Sequence, residues 1–426
     1  MEKSIKISNQ TNWIKVTVFF MLVTSSMIVV QVQEKTLFLM LQILFCLTMF
    51  FCTKKLVFHN SILINLIVVE LVISAVFSCL SDIPLSYKKT AVYMTALMVI
   101  VYFVASYLIY EVRKGYLSLD FIKKCLKITC LIQLLWTIFQ FLCYEVFLFD
   151  VNKFIFVDSL GIVQKASVFK PGNLFMPSGL SWHPSLLASL IVVAFFLYDK
   201  WYMKCLSLLV AVICNNSTAL IGAILCVGVE LIRISANLLR KKKINRKVLL
   251  LVLIAVVLVG VVVYETGLIN EVFNKIYHMY QRIFGLVYDG GSADAHKRYF
   301  TAYLDVVNNS SVVQVLLGYG EGCSGYPYDV LFDQYSFWSN WAVESDIMNI
   351  LVSRGIIGFV LYYAMLLYTA IKGFKINYKY SVIITIIAFQ GITYNVQFDW
   401  IVILEMIFLF CITHGWDFFV KEKCCH

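Results

Sequence analysis

The sequence predicts an all-α integral membrane protein of about 12 transmembrane helices carrying one large, partly helical loop. Three observations predict it. Hydrophobic residues make up 61% of the chain against 14% charged. Apolar runs follow one another from Val16 to Trp416, and basic residues gather in alternate connections between them. At a mean hydropathy of +0.83 too little polar side chain remains to coat a water-facing globule, which excludes a soluble fold.

A helix needs about 20 apolar residues to cross a hydrocarbon layer of about 30 Å. By that measure the spans fall at 16–33, 37–52, 61–79, 90–110, 125–149, 179–198, 205–214, 217–237, 248–264, 345–370, 380–397 and 400–415. The first run leads into further spans and reads as an uncleaved helix rather than a cleavable signal. Between 205 and 237 the length is short for two full crossings, yet both flanks are basic. Two short or re-entrant helices meeting at Asn215-Asn216-Ser217-Thr218 satisfy both facts. Irregular backbone at membrane depth must face protein or a wet cavity, which places Asn216 and Ser217 near a site.

Charge sets the orientation. Lys3, Lys6 and Lys15, then Lys54-Lys55, Arg113-Lys114 with Lys123-Lys124, and Lys200 with Lys204 mark one face. The run Arg240 to Lys247, then Lys372, Lys375 and Lys379, and finally Lys421 and Lys423 complete it. That face is expected to be cytoplasmic, with both termini on it. The outer connection carrying Lys88 and Lys89 is the one mild violation. Topology thus accounts for the net charge of +10, and no nucleic-acid partner is expected.

Two segments stand on the opposite face. The shorter, 150–178, contains Lys165, Lys170, Pro171, Gly172 and Pro177. The larger, 265–343, is inserted between the ninth and tenth spans of a single polytopic domain covering 1–426. It opens with helical periodicity (Leu268, Val272, Ile276, Met279, Ile283), breaks at Asp289-Gly290-Gly291 and resumes as a helix from Ala293 to Asn308. The stretch Gly318 to Gly322 reads as a turn, because no strand–loop–helix context with a following Lys-Ser/Thr makes it a phosphate loop. Thirteen cysteines show no metal-ligand spacing, and most sit in apolar runs as small hydrophobes. No metal or other cofactor is expected.

Ionisable side chains near outer helix ends are the candidates for chemistry, since charge at membrane depth is costly. Arg298 begins a helical stretch in which Tyr299, Ala302, Leu304 and Val306 are expected to bury it against the bundle. A guanidinium offers a permanent, bidentate fork for diphosphate. Lys170 precedes a rigid Pro-Gly turn that can aim it inward, and Arg282 lies late in the amphipathic helix. Glu344 and Asp346 sit at the mouth of the tenth span, as a general base or as charges favoured by the helix dipole. His183, in Ser181-Trp182-His183-Pro184-Ser185, starts the sixth span, where it either donates to phosphate or bonds a carbonyl.

The order of these features resembles the O-antigen polymerase and ligase superfamily of bacterial surface polysaccharides. The stretch Phe169-Lys170-Pro171-Gly172-Asn173-Leu174-Phe175-Met176-Pro177 through Ser185 is similar to the family's basic–glycine–phenylalanine segment before a Pro-Ser helix start. Asn215-Asn216-Ser217-Thr218-Ala219 resembles its short serine turn. Arg298, Leu317-Gly318-Tyr319-Gly320, and Glu344-Ser345-Asp346 leading to Arg354-Gly355-Ile356-Ile357-Gly358 resemble its outer loop and following helix. Many ligase-type members carry a histidine at the position of Glu344 and an arginine at that of Lys170. The acidic residue is more like the Wzy-type polymerases.

The resemblance implies a glycosyltransferase of GT-C-like helical architecture in a bacterial inner membrane, making O-antigen or capsular polysaccharide. Donor and acceptor would be glycans on undecaprenyl diphosphate, held with membrane lipid around them. A flippase and a chain-length regulator are the further partners it implies. Arg298, Lys170 and Arg282 would stabilise the leaving diphosphate, and Glu344 or Asp346 would take the acceptor's proton. Tyr319 and the loop's other aromatics would stack on sugars. The nearest alternative is an O-antigen ligase. An alternative of another class is a transporter or flippase for lipid-linked sugars, against which stands the absence of paired repeats.

Overall fold

Small polar residues decide where several helices begin. Thr36, Ser118, His183, Ser311 and Asn377 each accept, through a side-chain atom, a backbone amide that the first turn of a helix leaves unpaired. The computed structural model describes residues 2–32, 35–59, 61–163, 167–170, 174–181, 183–214, 216–240, 292–331, 343 and 345–392.

The described chain is mostly helical. Its N-terminal half comprises α1 (Glu2–Thr24), α2 (Leu37–Thr53), α3 (Ile62–Leu80), α4 (Leu85–Arg113) and α5 (Leu119–Phe147). A π-type helix (Lys153–Ser159) follows, then α6 (Pro184–Leu197), α7 (Trp201–Ile213) and α8 (Ser217–Arg240). The later part holds α9 (Ser292–Asn308), α10 (Val312–Leu317), α11 (Gly325–Leu331), α12 (Asp346–Ser353), α13 (Gly355–Ile376) and α14 (Tyr378–Gln390). Two antiparallel hairpins are present: β1 (Gln31–Val32) with β2 (Lys35–Thr36), and β3 (Val168–Lys170) with β4 (Leu174–Met176). Among the described residues, α3, α4, α5, α8 and α13 are the five helices long and apolar enough to cross a membrane. Shorter apolar helices lie within α1 and at α2, α6 and α7. The expected spans 248–264 and 400–415 lie outside the described residues.

Some boundaries differ from expectation. The first helix stops at Thr24 instead of continuing to 33: the chain turns there, Met27 N donating to Thr24 O (2.9 Å) and Val29 N to Leu180 O (3.1 Å). The span expected at 345–370 is broken between α12 and α13. Gly355 adopts a left-handed φ of 65°, and a Cβ there would strike the backbone of Leu316. As expected, two helices meet at the Asn-Ser-Thr turn. The first, α7, is short, whereas α8 is 24 residues long.

The chain forms two compact units: residues 1–224 with 309–426, and residues 225–308. In the second, α9 buries Ala302 and Val306, while Leu304 is exposed, contrary to its expected burial. In the first, the helices neighbour one another in a closed order: α1, α2, α4, α3, α13, α14, α6, α5 and back to α1.

Helix α6 is buried on every side from Pro184 to Phe196. Its 14 residues rise only about 21 Å, so it is too short to traverse the hydrocarbon alone. The chain therefore approaches it as irregular backbone inside the bundle, and α5 supplies the partners. Gln140 Oε1 accepts from Ser178 N and Gly179 N, both at 3.0 Å, and Gln133 Oε1 accepts from Leu180 N at 2.9 Å. Gln133 Nε2 donates to Ser26 O (2.6 Å), and Asn152 Nδ2 donates to Gly179 O (2.6 Å).

Gln140→Leu keeps the volume but strands two buried amides. It is expected to cost about 2 kcal/mol or more, read as a lowered thermal midpoint of the detergent-solubilised chain. Unchanged stability would mean that α5 does not hold this approach.

Candidate functional site

Three polar groups stand out in the first unit, two of them where α6, α8 and α12 begin and α14 finishes, and the third around Arg354 and the middle of α3. The first is built on helix starts. His183 Nδ1 accepts from Ser185 N at 3.2 Å and caps α6, with Pro184 at the first helical position. His183 Nδ1 thus accepts from an amide, a role different from the bond to a phosphate or a carbonyl expected of it. Asn216 Oδ1 accepts from Thr218 N (2.9 Å) and Ala219 N (3.2 Å), capping α8, and Asn216 Nδ2 donates to Ser185 Oγ at 3.1 Å. Two helix N-termini, each with partial positive charge, are thereby tied together.

The second group surrounds Asp346, the first residue of α12, which is 1% exposed. Its amide donates to Gly391 O (2.8 Å), and Ser345 Oγ donates to Ile392 O (2.9 Å). A Cβ on Gly391 would sit 2.6 Å from Asp346 Oδ2, so only glycine lets the carboxylate lie against the end of α14. One residue earlier, Gln390 approaches Gly222 of α8, where a Cβ would lie 3.1 Å from its Nε2. The last turn of α14 thus runs from Asp346 to the first turns of α8.

The third group is an ion cluster. Arg354, at the break between α12 and α13, gives Glu70 Oε2 of α3 a bond from Nε at 3.0 Å and a second from Nη2. Its Nε also stands 3.7 Å from Glu321 Oε2. All three side chains are 4% exposed or less. Glycines admit the chain to this place. At Gly318 a Cβ would strike Ser353, and at Gly320 it would lie 2.7 Å from Ser78 Oγ. Their neighbours pair with the α12 terminus, Tyr319 N to Val352 O (3.0 Å) and Gly320 N to Ser353 O (2.8 Å).

The remaining expected residues are placed as follows. Lys170 ends β3, opposite Leu174, in a hairpin seated on α5 by Tyr144, whose ring stacks on Phe175 at 4.2 Å. Its side chain is outside the described residues, as are those of Ser217, at the start of α8, and Arg298, on α9 of the second unit. Arg282 and Glu344 lie wholly outside them. Tyr319 is 8% exposed, its hydroxyl shared with Ser310 Oγ at 2.7 Å and its ring set against Tyr326. It packs the segment, with little ring face left open for a sugar. Glu70 and Glu321 did not figure among the expected site residues. Glu70 could have been found as the lone acid of the apolar 61–79 span.

Removing the guanidinium by Arg354→Ala leaves buried carboxylates unpaired and is expected to cost about 3–5 kcal/mol of stability. Arg354→Lys should cost less, as seen in thermal melts. Asn216→Ala, which uncaps α8, is expected to cost about 1–2 kcal/mol, and Asn216→Asp, which keeps an acceptor, a fraction of that. Equal melts for Asn216→Ala and Asn216→Asp would remove the capping account.

No protein-family model matches the chain, and no characterised protein matches its sequence. The likeness to O-antigen polymerases therefore rests on the motifs and their order.

Proposed function

We propose that the chain is a membrane-embedded polysaccharide polymerase of about 12 spans and GT-C-like architecture. It would join undecaprenyl-diphosphate-linked repeat units at the outer face of a bacterial inner membrane. The observation that carries this reading is the meeting, at one end of the bundle, of two capped helix starts with a buried carboxylate. These are α6 and α8, tied through Ser185 and Asn216, and Asp346 one turn of α14 away.

That combination suits glycosyl transfer from a diphosphate. The partial positive charge at the two helix starts favours phosphate oxygens without a bound counter-ion, and the resemblance assigns further cationic side chains to the diphosphate. Lys170, Arg298 and Arg282 take this second part by their place in the motifs. The acceptor hydroxyl oxygen attacks the anomeric carbon. The bond from that carbon to the diphosphate oxygen breaks, the diphosphate leaves with the electron pair, and the hydroxyl proton passes to Asp346 or Glu344. Because the diphosphate is a good leaving group, charge stabilisation and proton removal are the work left to the protein.

Purified protein supplied with lipid-linked repeat units is expected to produce a ladder of lengthening glycans. A single addition to a lipid core acceptor would mean a ligase, and movement of the lipid without a new bond a transporter. Asp346→Asn is expected to lower the rate by about 10²–10⁴-fold with the thermal midpoint retained, the range of a lost general base. Full activity of both Asp346→Asn and Glu344→Gln would reject the carboxylate as base.

A further inference from the structure

The cluster of Glu70, Arg354 and Glu321 does not balance as drawn: two carboxylates face one guanidinium, and the surplus is one negative charge in a buried place. Arg354 spends its hydrogen bonds on Glu70. Glu321, 1% exposed, has no hydrogen-bond partner on either oxygen among the described residues. A bare carboxylate without donors is among the costliest groups to bury. The hydroxyls of Ser78 and Ser353, both fully buried, likewise lack partners there. The cluster as an ionised triad is therefore one positive charge short of neutrality.

Space decides what can supply that charge. A Cβ on Gly320 would lie 2.7 Å from Ser78 Oγ and 2.8 Å from Ala91 Cβ, one on Gly322 2.8 Å from Met94 Cγ, and one on Gly358 2.9 Å from Glu70 Oε1. A metal cation with several oxygen ligands has no room between such surfaces. A proton needs none.

We infer that Glu321 carries a proton in the seated structure, and that this proton latches the 318–324 segment onto α3, α4 and the end of α12. The groups facing it are few. From α3 come Glu70 and, farther off, Cys79; from the α12–α13 break, Arg354; from α13, Tyr362; from its own segment, Cys323. Helix α4 presents Thr90, Ala91 and Met94, with Tyr87 giving its carbonyl to Cys323 Sγ at 3.1 Å. Among the described residues facing it, only Arg354 is cationic, and it is engaged. Burial accordingly pushes Glu321 up to about 7 despite Arg354, with Glu70 adding to the rise.

The sign of the pH dependence follows. Below the ordinary carboxylate value of 4.5 Glu321 is protonated seated or released, and the latch is at full strength. Between 4.5 and about 7 the released form ionises while the seated form stays neutral, so seating weakens steadily with rising pH. Above about 7 both forms are ionised and the loss levels off. The segment ends on Val352 and Ser353, and α12 carries Asp346 at its other end, so release loosens the mount of that carboxylate.

Cys323, wholly buried where the segment meets α4, is a natural reporter. In the full chain with Cys323 as its only cysteine, modification by a dipyridyl disulfide is followed from pH 5 to pH 8 and divided by the rate for Glu321→Gln in the same background. The division removes the thiol's own pH dependence. The ratio is expected to rise about thirtyfold from pH 5 to pH 7 and to level off above. Glu70→Gln, which leaves Arg354 to neutralise Glu321, should abolish the rise, and it serves as the divisor should Glu321→Gln not fold. A ratio constant with pH overturns the inference. So does a ratio that follows sodium concentration at fixed pH, which would mean a metal cation in place of the proton.

Discussion

Much of this structure follows from one requirement, that backbone leaving regular helix inside the bundle must still find donors and acceptors. The approach to α6 meets it with two glutamines on one face of α5, aided by Asn152. The segment between α10 and α11 meets it with the carbonyls that end α12. In both places a glycine with positive φ lets the chain come close enough, Gly179 in the first and Gly318 with Gly320 in the second. Side-chain amides and helix ends thus do inside the bundle what water does at a protein surface.

The same requirement positions the candidate chemistry. Because α6 and α8 start within the bundle, His183 and Asn216 are committed to capping them. Because α12 stops after eight residues, Asp346 at its start and Arg354 at its end belong to one short rigid piece. Carboxylate and ion cluster are thereby linked by about two turns of helix.

Hydropathy and charge alternation were enough to read α3, α4, α5 and α13 as spans, the turn between α7 and α8, and α9 after its glycine break. They could not reveal the break at Arg354, since α12 continues an apolar pattern and is interrupted by tertiary docking of Leu316 to Gly318. The hairpin at 168–176 was also illegible, being fixed by the Tyr144, Phe169 and Phe175 rings. In the site, Asn216 and Asp346 were legible as polar residues at helix starts. Glu321 was not, because it looked like part of an exposed turn, and only its neighbours across the fold make it a buried acid.

The closed order of helices sets a problem for biogenesis. Glu70 and Arg354 are 284 residues apart, and α3 and α13 are neighbours through them. As the chain emerges from the ribosome, α3 enters the lipid with an acid whose counter-charge has not yet been made. Until α13 arrives, that acid must stay neutral or keep a sheath of water, and the N-terminal helices wait as an open arc. Completion of the bundle is then an event of late synthesis, and a nascent chain stopped before residue 354 is a substrate for membrane quality control.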